Sequence, residues 1–96
     1  MKEGFQLLKI FQYGEYIFYL YPNDGDEPVH VHVIDKNKSP NSPKFWMTKN
    51  GNAILANSRV TFSNYEIEKM SDAISANSNL IIKQWKKYFK DITYYC

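Results

Sequence analysis

The sequence predicts an α+β fold, with about five mostly antiparallel strands in the first half of the chain and helix in the second. Strand-like runs separated by short turn signals occupy residues 5–56, and apolar residues recur at helical spacing after residue 63. Strands followed by helices in series favour one sheet with helices packed on it. A chain of 96 residues has room for a single domain, which we expect to span residues 1–96.

The first two strands are predicted to form a hairpin. Residues 5–12 and 16–21 are rich in aromatic and β-branched side chains, and Tyr13-Gly14-Glu15 supplies a turn between them. The second run is apolar on both faces, so we expect it in the interior of the sheet. Residues 22–28 are predicted to form a loop, because two prolines and an Asp-Gly step interrupt regular structure there.

The third strand carries a strict alternation, Val29-His30-Val31-His32-Val33. A period of two places the histidines on one face of the strand and the valines on the other. Residues 35–43 are polar and are predicted to form a loop. Residues 45–47 and 53–56 are the last two strands, joined by a turn at Asn50-Gly51, which is the strongest short hairpin signal.

The second half is predicted to be helical. Ser63 and Glu66 match a capping box, which marks a helix start. The apolar stripe that follows consists of Ile67, Met70, Ile74, Ile81, Trp85 and Tyr88. One helix over residues 64–89 would be roughly 39 Å long, whereas a domain of this size is only about 30 Å across. We therefore expect a kink or a break at residues 77–79, with Ser78 or Asn79 capping a second helix; one long kinked helix is the alternative.

Composition excludes several classes of protein. The chain is 44% hydrophobic and 17% aromatic, so it can build a core and is not a disordered tail. A net charge of +2 does not by itself indicate a nucleic-acid partner. The single cysteine, Cys96, excludes a disulfide within the chain. Because no signal-peptide pattern and no membrane-length apolar run is found, we expect a soluble, cytoplasmic protein with no membrane partner.

His30 and His32 are the strongest candidates for chemistry. Their side chains project to one side of the strand, about 6.5–7 Å apart. Together with Glu27 they are candidate acid–base catalysts, because histidine titrates near neutral pH. Together with Asp24 and Asp26 they are candidate metal ligands. The alternative is that both histidines lie on an exposed strand face and pack on tyrosines, without a chemical role.

Basic residues provide a second set of candidates. The candidate contacts to phosphate or nucleic acid are Lys44, Arg59, Lys83, Lys87 and Lys90. Lysines near the end of a helix also complement the negative end of the helix dipole, which needs no ligand. With a single arginine and no base-reading motif, sequence-specific recognition is not indicated. No nucleotide-binding or zinc-finger motif is found, so no cofactor is expected.

The segment from Asn23 to Val33 resembles the signature of the domain of unknown function 4160 family, a group of small single-domain prokaryotic proteins. That signature is a polar or acidic loop, a proline-containing step and then H-x-H between aliphatic residues. The resemblance covers roughly residues 10–90, and its further matches are the aromatic run 16–21, Lys44-Phe45-Trp46, Phe62-Ser63, Trp85, Tyr88 and Phe89. Val29 replaces a second proline, and Gly25-Asp26 occupies a region where many members have a further histidine. This departure argues against a three-histidine metal site.

The resemblance implies a small interaction or regulatory protein, one half of a two-gene, toxin–antitoxin-like module with a small partner protein. The high aromatic content and the missing catalytic motifs agree with this expectation. The alternatives are a nuclease-like or phosphotransfer enzyme that uses His30 and His32 as acid and base, and a metal-binding protein. The residues leave open whether the chain is an enzyme and what its oligomeric state is.

Overall fold

The computed structural model describes residues 7–35, 43–57 and 62–94, and these residues form the predicted α+β architecture. Neither of the two helices described is long and apolar enough to cross a membrane. The elements are β1 Leu8–Tyr13, β2 Tyr16–Leu20, a 3-10 turn Asp24–Asp26, β3 His30–Asp35, β4 Lys44–Met47, β5 Ala53–Leu55, α1 Asn64–Ala76 and α2 Ser78–Phe89.

The five strands form one antiparallel sheet in sequential order, β1-β2-β3-β4-β5. Both predicted hairpins are present, and their turns contain Gly14 and Gly51 at φ 59° and 81°, a conformation that favours glycine. The predicted loop at residues 35–43 begins later than expected, because Asp35 still belongs to β3 and pairs with Tyr16. The rest of that loop, up to residue 42, lies outside the described residues.

The register of β3 divides its side chains between two faces of the sheet. Val31 lies opposite Phe45 and joins the buried core, whereas His32 lies opposite Lys44 on one side and Tyr19 on the other. The predicted alternation is therefore confirmed. It places both histidines in one row, away from the valine side chains.

The helices cover the valine face with an apolar stripe, of which the buried members are Met70, Ala73, Ile74, Ile81 and Trp85. The expectation that Tyr88 belongs to this stripe is wrong, since Tyr88 is 43% exposed. Phe89 takes its place and packs on Trp85 with ring centroids 4.6 Å apart. The stripe advances by four residues from Ile81 to Trp85 and again to Phe89, which turns position 88 towards solvent.

The expected break between helices is confirmed, but its capping differs from the prediction. Asn77 alone separates α1 from α2, and neither Ser78 nor Asn79 is the N-cap residue. The Asn77 side chain instead donates a hydrogen bond back to the Ala73 carbonyl at 2.8 Å. Its own carbonyl accepts the Ile81 N–H, so Asn77 ends one helix and begins the next.

The segment after α2 connects the helix to the start of β3. The chain reverses at Lys90, whose φ is 64°, and the Trp85 indole N–H then donates to the Asp91 carbonyl at 3.0 Å. Two residues further on, the Thr93 carbonyl accepts the N–H of Val29 at 2.8 Å. These bonds hold Trp85 against the residue that precedes His30.

We expect the substitution Ser63→Ala to destabilise the protein by about 1 kcal/mol, because Ser63 and Glu66 form the complete capping box at the start of α1. Urea unfolding followed by circular dichroism measures this change. The matched control is Ser75→Ala inside α1, which should leave stability unchanged or slightly higher, since alanine favours helix. If Ser63→Ala lowers the free energy of unfolding no more than Ser75→Ala does, the capping box contributes nothing to stability.

Candidate metal centre

One carboxylate contacts both histidines. Asp24 Oδ1 lies 3.1 Å from His30 Nε2, and Asp24 Oδ2 lies 3.0 Å from His32 Nε2. One atom from each of these three side chains can be chosen so that all three lie within 4.8 Å of one another. We call these residues the Asp24–His30–His32 cluster. It combines two sequence features, the H-x-H alternation of β3 and the acidic loop before it.

The 3-10 turn aims the Asp24 carboxylate at β3. The Tyr21 backbone N–H donates to Asp24 Oδ2 at 2.7 Å, and the Asp24 N–H donates to the Tyr21 carbonyl at 3.1 Å. The turn also lies close to α2, since a Cβ at Gly25 would come within 2.9 Å of Phe89 Cδ1. A residue without a side chain therefore lets the turn pack over the end of α2 and hold Asp24 in place.

The cluster is almost closed to solvent, and this decides against an exposed-face arrangement of the histidines. The side chain of His30 is fully buried, and those of His32 and Asp24 are 13% and 10% exposed. The expected packing on tyrosines is present for His32. The aromatic rings in contact with the two imidazoles are Tyr19 and Tyr21 at His32, and Trp46 and Trp85 at His30.

The hydrogen bond between His30 and Pro28 shows which ring nitrogen is the donor. Its Nδ1 lies 2.8 Å from the Pro28 carbonyl, which can only accept, so Nδ1 carries a hydrogen and donates it. The other nitrogen, Nε2, is buried and has no hydrogen-bond partner of suitable geometry among the residues described. A bare lone pair facing a carboxylate would be repelled, so His30 Nε2 requires a cation or a proton between itself and Asp24.

The electrostatics of the two nearby carboxylates follow from these contacts. Burial by itself raises the pKa of Asp24, but the contacts with His30 and His32 and the Tyr21 N–H outweigh it and hold that pKa well below its usual range. The hydrogen bond from Lys44 lowers the pKa of Glu27. Both groups are therefore ionised at neutral pH, as carboxylate metal ligands must be.

The other sequence-predicted site residues are placed less centrally. Asp26 is exposed and lies outside the cluster. Glu27 lies at its border, with Oε1 3.7 Å from His30 Nε2 and 2.6 Å from Lys44 Nζ. Arg59 lies outside the described residues. Of the remaining basic candidates, Lys83 and Lys87 are exposed on α2 and Lys90 directly follows it, so they do not share an element with Lys44.

Three contributors to the site were not anticipated from the sequence: the Tyr21 backbone N–H, the Pro28 carbonyl and the pairing of Lys44 with Glu27. The first two are backbone groups, which carry no residue-type signal. The third could have been found from strand pairing, because Lys44 lies directly opposite His32 in the sheet.

We expect Asp24→Asn to destabilise the protein by about 2 kcal/mol at neutral pH, because it removes the charge that two buried imidazoles face. A carboxyl whose folded-state pKa is depressed contributes stability above its unfolded pKa of about 3.9 and loses it as pH falls further. The gap between wild type and variant should therefore narrow below about pH 4 in urea unfolding. Asp26→Asn is the matched control and should follow wild type. A gap independent of pH would contradict the electrostatic account.

A family model described as Domain of unknown function (DUF4160) matches residues 15–86. That span includes the whole Asp24–His30–His32 cluster, together with Glu27, Lys44, Trp46 and Trp85. No curated protein and no solved structure matches the sequence significantly. Since the family model covers most of the chain and the site lies within it, the chain belongs to the DUF4160 family.

Proposed function

We propose that the protein binds a divalent transition-metal ion through Asp24, His30 Nε2 and His32 Nε2. The observation that carries this proposal is the convergence of His30 Nε2 and His32 Nε2 on the two oxygens of the Asp24 carboxylate, at 3.1 and 3.0 Å, in a place almost closed to solvent. A metal ion between the two nitrogens and the carboxylate would satisfy all three groups at once.

The ligand set and its spacing support a metal ion. Two imidazoles and one carboxylate suit Zn²⁺, Mn²⁺, Fe²⁺, Co²⁺ or Ni²⁺. Neighbouring ligands about 2.1 Å from a common ion are separated by about 3.0–3.4 Å. His30 Nε2 and His32 Nε2 lie 3.1 and 3.0 Å from different oxygens of Asp24, and one atom from each of the three side chains can be chosen so that all three lie within 4.8 Å. The bond from His30 Nδ1 to the Pro28 carbonyl is the kind of second contact that metal-binding histidines usually make.

The same burial makes acid–base catalysis the less supported alternative. A general acid or base must reach the substrate directly or through one water, and His30 is fully buried. An interaction or regulatory role stays compatible with the metal site. A bound ion would tie the 3-10 turn to β3, so any surface that includes this turn would be ordered by the metal.

We expect the folded protein to bind one Zn²⁺ or Co²⁺ ion per chain in isothermal titration calorimetry. Co²⁺ should also quench the tryptophan fluorescence, since the ring centroids of the only two tryptophans, Trp46 and Trp85, lie 5.6 and 5.4 Å from that of His30. His32→Asn should weaken binding by more than about 100-fold, because outer-shell contacts alone contribute 10–100-fold in metal sites.

Asp26→Asn is the control for this titration, because it removes a carboxylate from the same turn without touching the cluster. It should bind with wild-type affinity, and circular dichroism should show that every variant is folded. Folded wild-type protein that binds none of Zn²⁺, Mn²⁺, Fe²⁺, Co²⁺ and Ni²⁺ in such titrations would refute the proposal. So would wild-type affinity in His32→Asn.

A further inference from the structure

Glu27 lies beside the cluster, where its carboxylate can contact either the Lys44 ammonium group or an ion bound by the cluster. Its side chain is 50% exposed, and a single oxygen, Oε1, lies 2.6 Å from Lys44 Nζ and 3.7 Å from the buried His30 Nε2. Lys44 itself projects from β4 directly opposite His32. The Lys44 ammonium group and the proposed ion would thus bind the same oxygen, Glu27 Oε1, from two sides.

We infer that Glu27 is a fourth ligand of the metal ion and that Lys44 competes with the ion for it. This inference rests on the proposed function, because it names the regulation of that same site. Lys44 holds Glu27 when the ion is absent and releases it when the ion binds.

The geometry requires little movement of Glu27. Ligands that share an ion are about 3.0–3.4 Å apart, so the 3.7 Å between Glu27 Oε1 and His30 Nε2 must shorten by only several tenths of an ångström. The Glu27 backbone is fixed, since its N–H donates to the Asp24 carbonyl at 3.1 Å. The half-exposed side chain can therefore swing while the 3-10 turn stays in place.

Lys44 competes with the ion for electrostatic reasons. An ammonium and a divalent ion repel each other, and one oxygen cannot accept a short bond from both without bringing them close together. Lys44 also has a second stabilising contact besides Glu27, because its Nζ lies 4.4 Å from the centroid of the Trp46 ring in a cation–π contact.

Competition predicts opposite signs for the two substitutions. Glu27→Gln removes a ligand and should weaken Zn²⁺ binding about 10–100-fold, whereas Lys44→Met removes the competitor and should strengthen it several-fold. A Glu27–Lys44 pair that only stabilised the fold would give effects of the same sign. In the double variant, the gain from Lys44→Met should disappear, because no carboxylate remains to be released.

The experiment is a Zn²⁺ titration of the full chain against a competing chelator, with wild type, the two single variants, the double variant and Lys83→Met. Lys83→Met removes an equal charge from an exposed position on α2 and should leave the affinity close to wild type. The Co²⁺ absorption spectrum of Glu27→Gln should also differ from wild type, since one oxygen ligand is lost.

The two proposals fail in different ways. If wild type binds Zn²⁺ but Glu27→Gln binds equally well, or Lys44→Met binds more weakly, the competition is refuted and the three-residue site stands. If Lys83→Met strengthens binding as much as Lys44→Met does, general charge explains the effect and the competition is again refuted. If wild type binds no ion, the proposed function fails and this inference fails with it.

Discussion

A single carboxylate faces two imidazoles in a place that water hardly reaches, and the surrounding structure keeps it there. Burying a charge is costly unless it is paired and hydrogen-bonded, so Asp24 needs His30, His32 and the Tyr21 N–H together. Asp24 is held at the histidines by the 3-10 turn and by the close approach of that turn to Phe89. The hydrogen bond from the Val29 N–H to the Thr93 carbonyl holds the start of β3 in place. The core on the valine face then holds β3 in the register that presents both histidines.

The chemistry of the cluster follows from its one incomplete contact. His30 is held through Nδ1 by a carbonyl, and its Nε2 is aimed at a carboxylate without a hydrogen bond of suitable geometry. A proton or a metal ion can occupy that space, and the two exclude each other. Metal binding at that nitrogen should therefore compete with proton binding. The Glu27–Lys44 pair lies at the border of the same space. In the proposed competition, Lys44 must release Glu27 before Glu27 can bind the ion.

The sequence predicts those parts of the structure that depend on neighbouring residues. The alternation in β3, the two glycine hairpin turns and the capping box of Ser63 and Glu66 are local patterns, and all are found. The position of Tyr88 and the role of Asn77 were missed because they depend on the angle at which α2 packs on the sheet. Helical spacing alone cannot decide between positions 88 and 89 when both carry an aromatic ring.

The candidate site divides in the same way. The shared face of His30 and His32 is a consequence of strand geometry, but their burial comes from Trp85 and Tyr21, which no local pattern connects to them. Sequence spacing could not select Asp24 over Asp26, because the 3-10 turn alone decides which carboxylate points at the sheet.

The central claim, that the Asp24–His30–His32 cluster is a metal site, is tested most directly by ¹⁵N nuclear magnetic resonance of the imidazole rings. On addition of one equivalent of Zn²⁺, the account predicts that the Nε2 signals of both histidines shift to the range of metal-bound nitrogen. The Nδ1 of His30 should remain protonated because it donates to Pro28. Imidazole signals unchanged by Zn²⁺ in the folded protein would contradict the account.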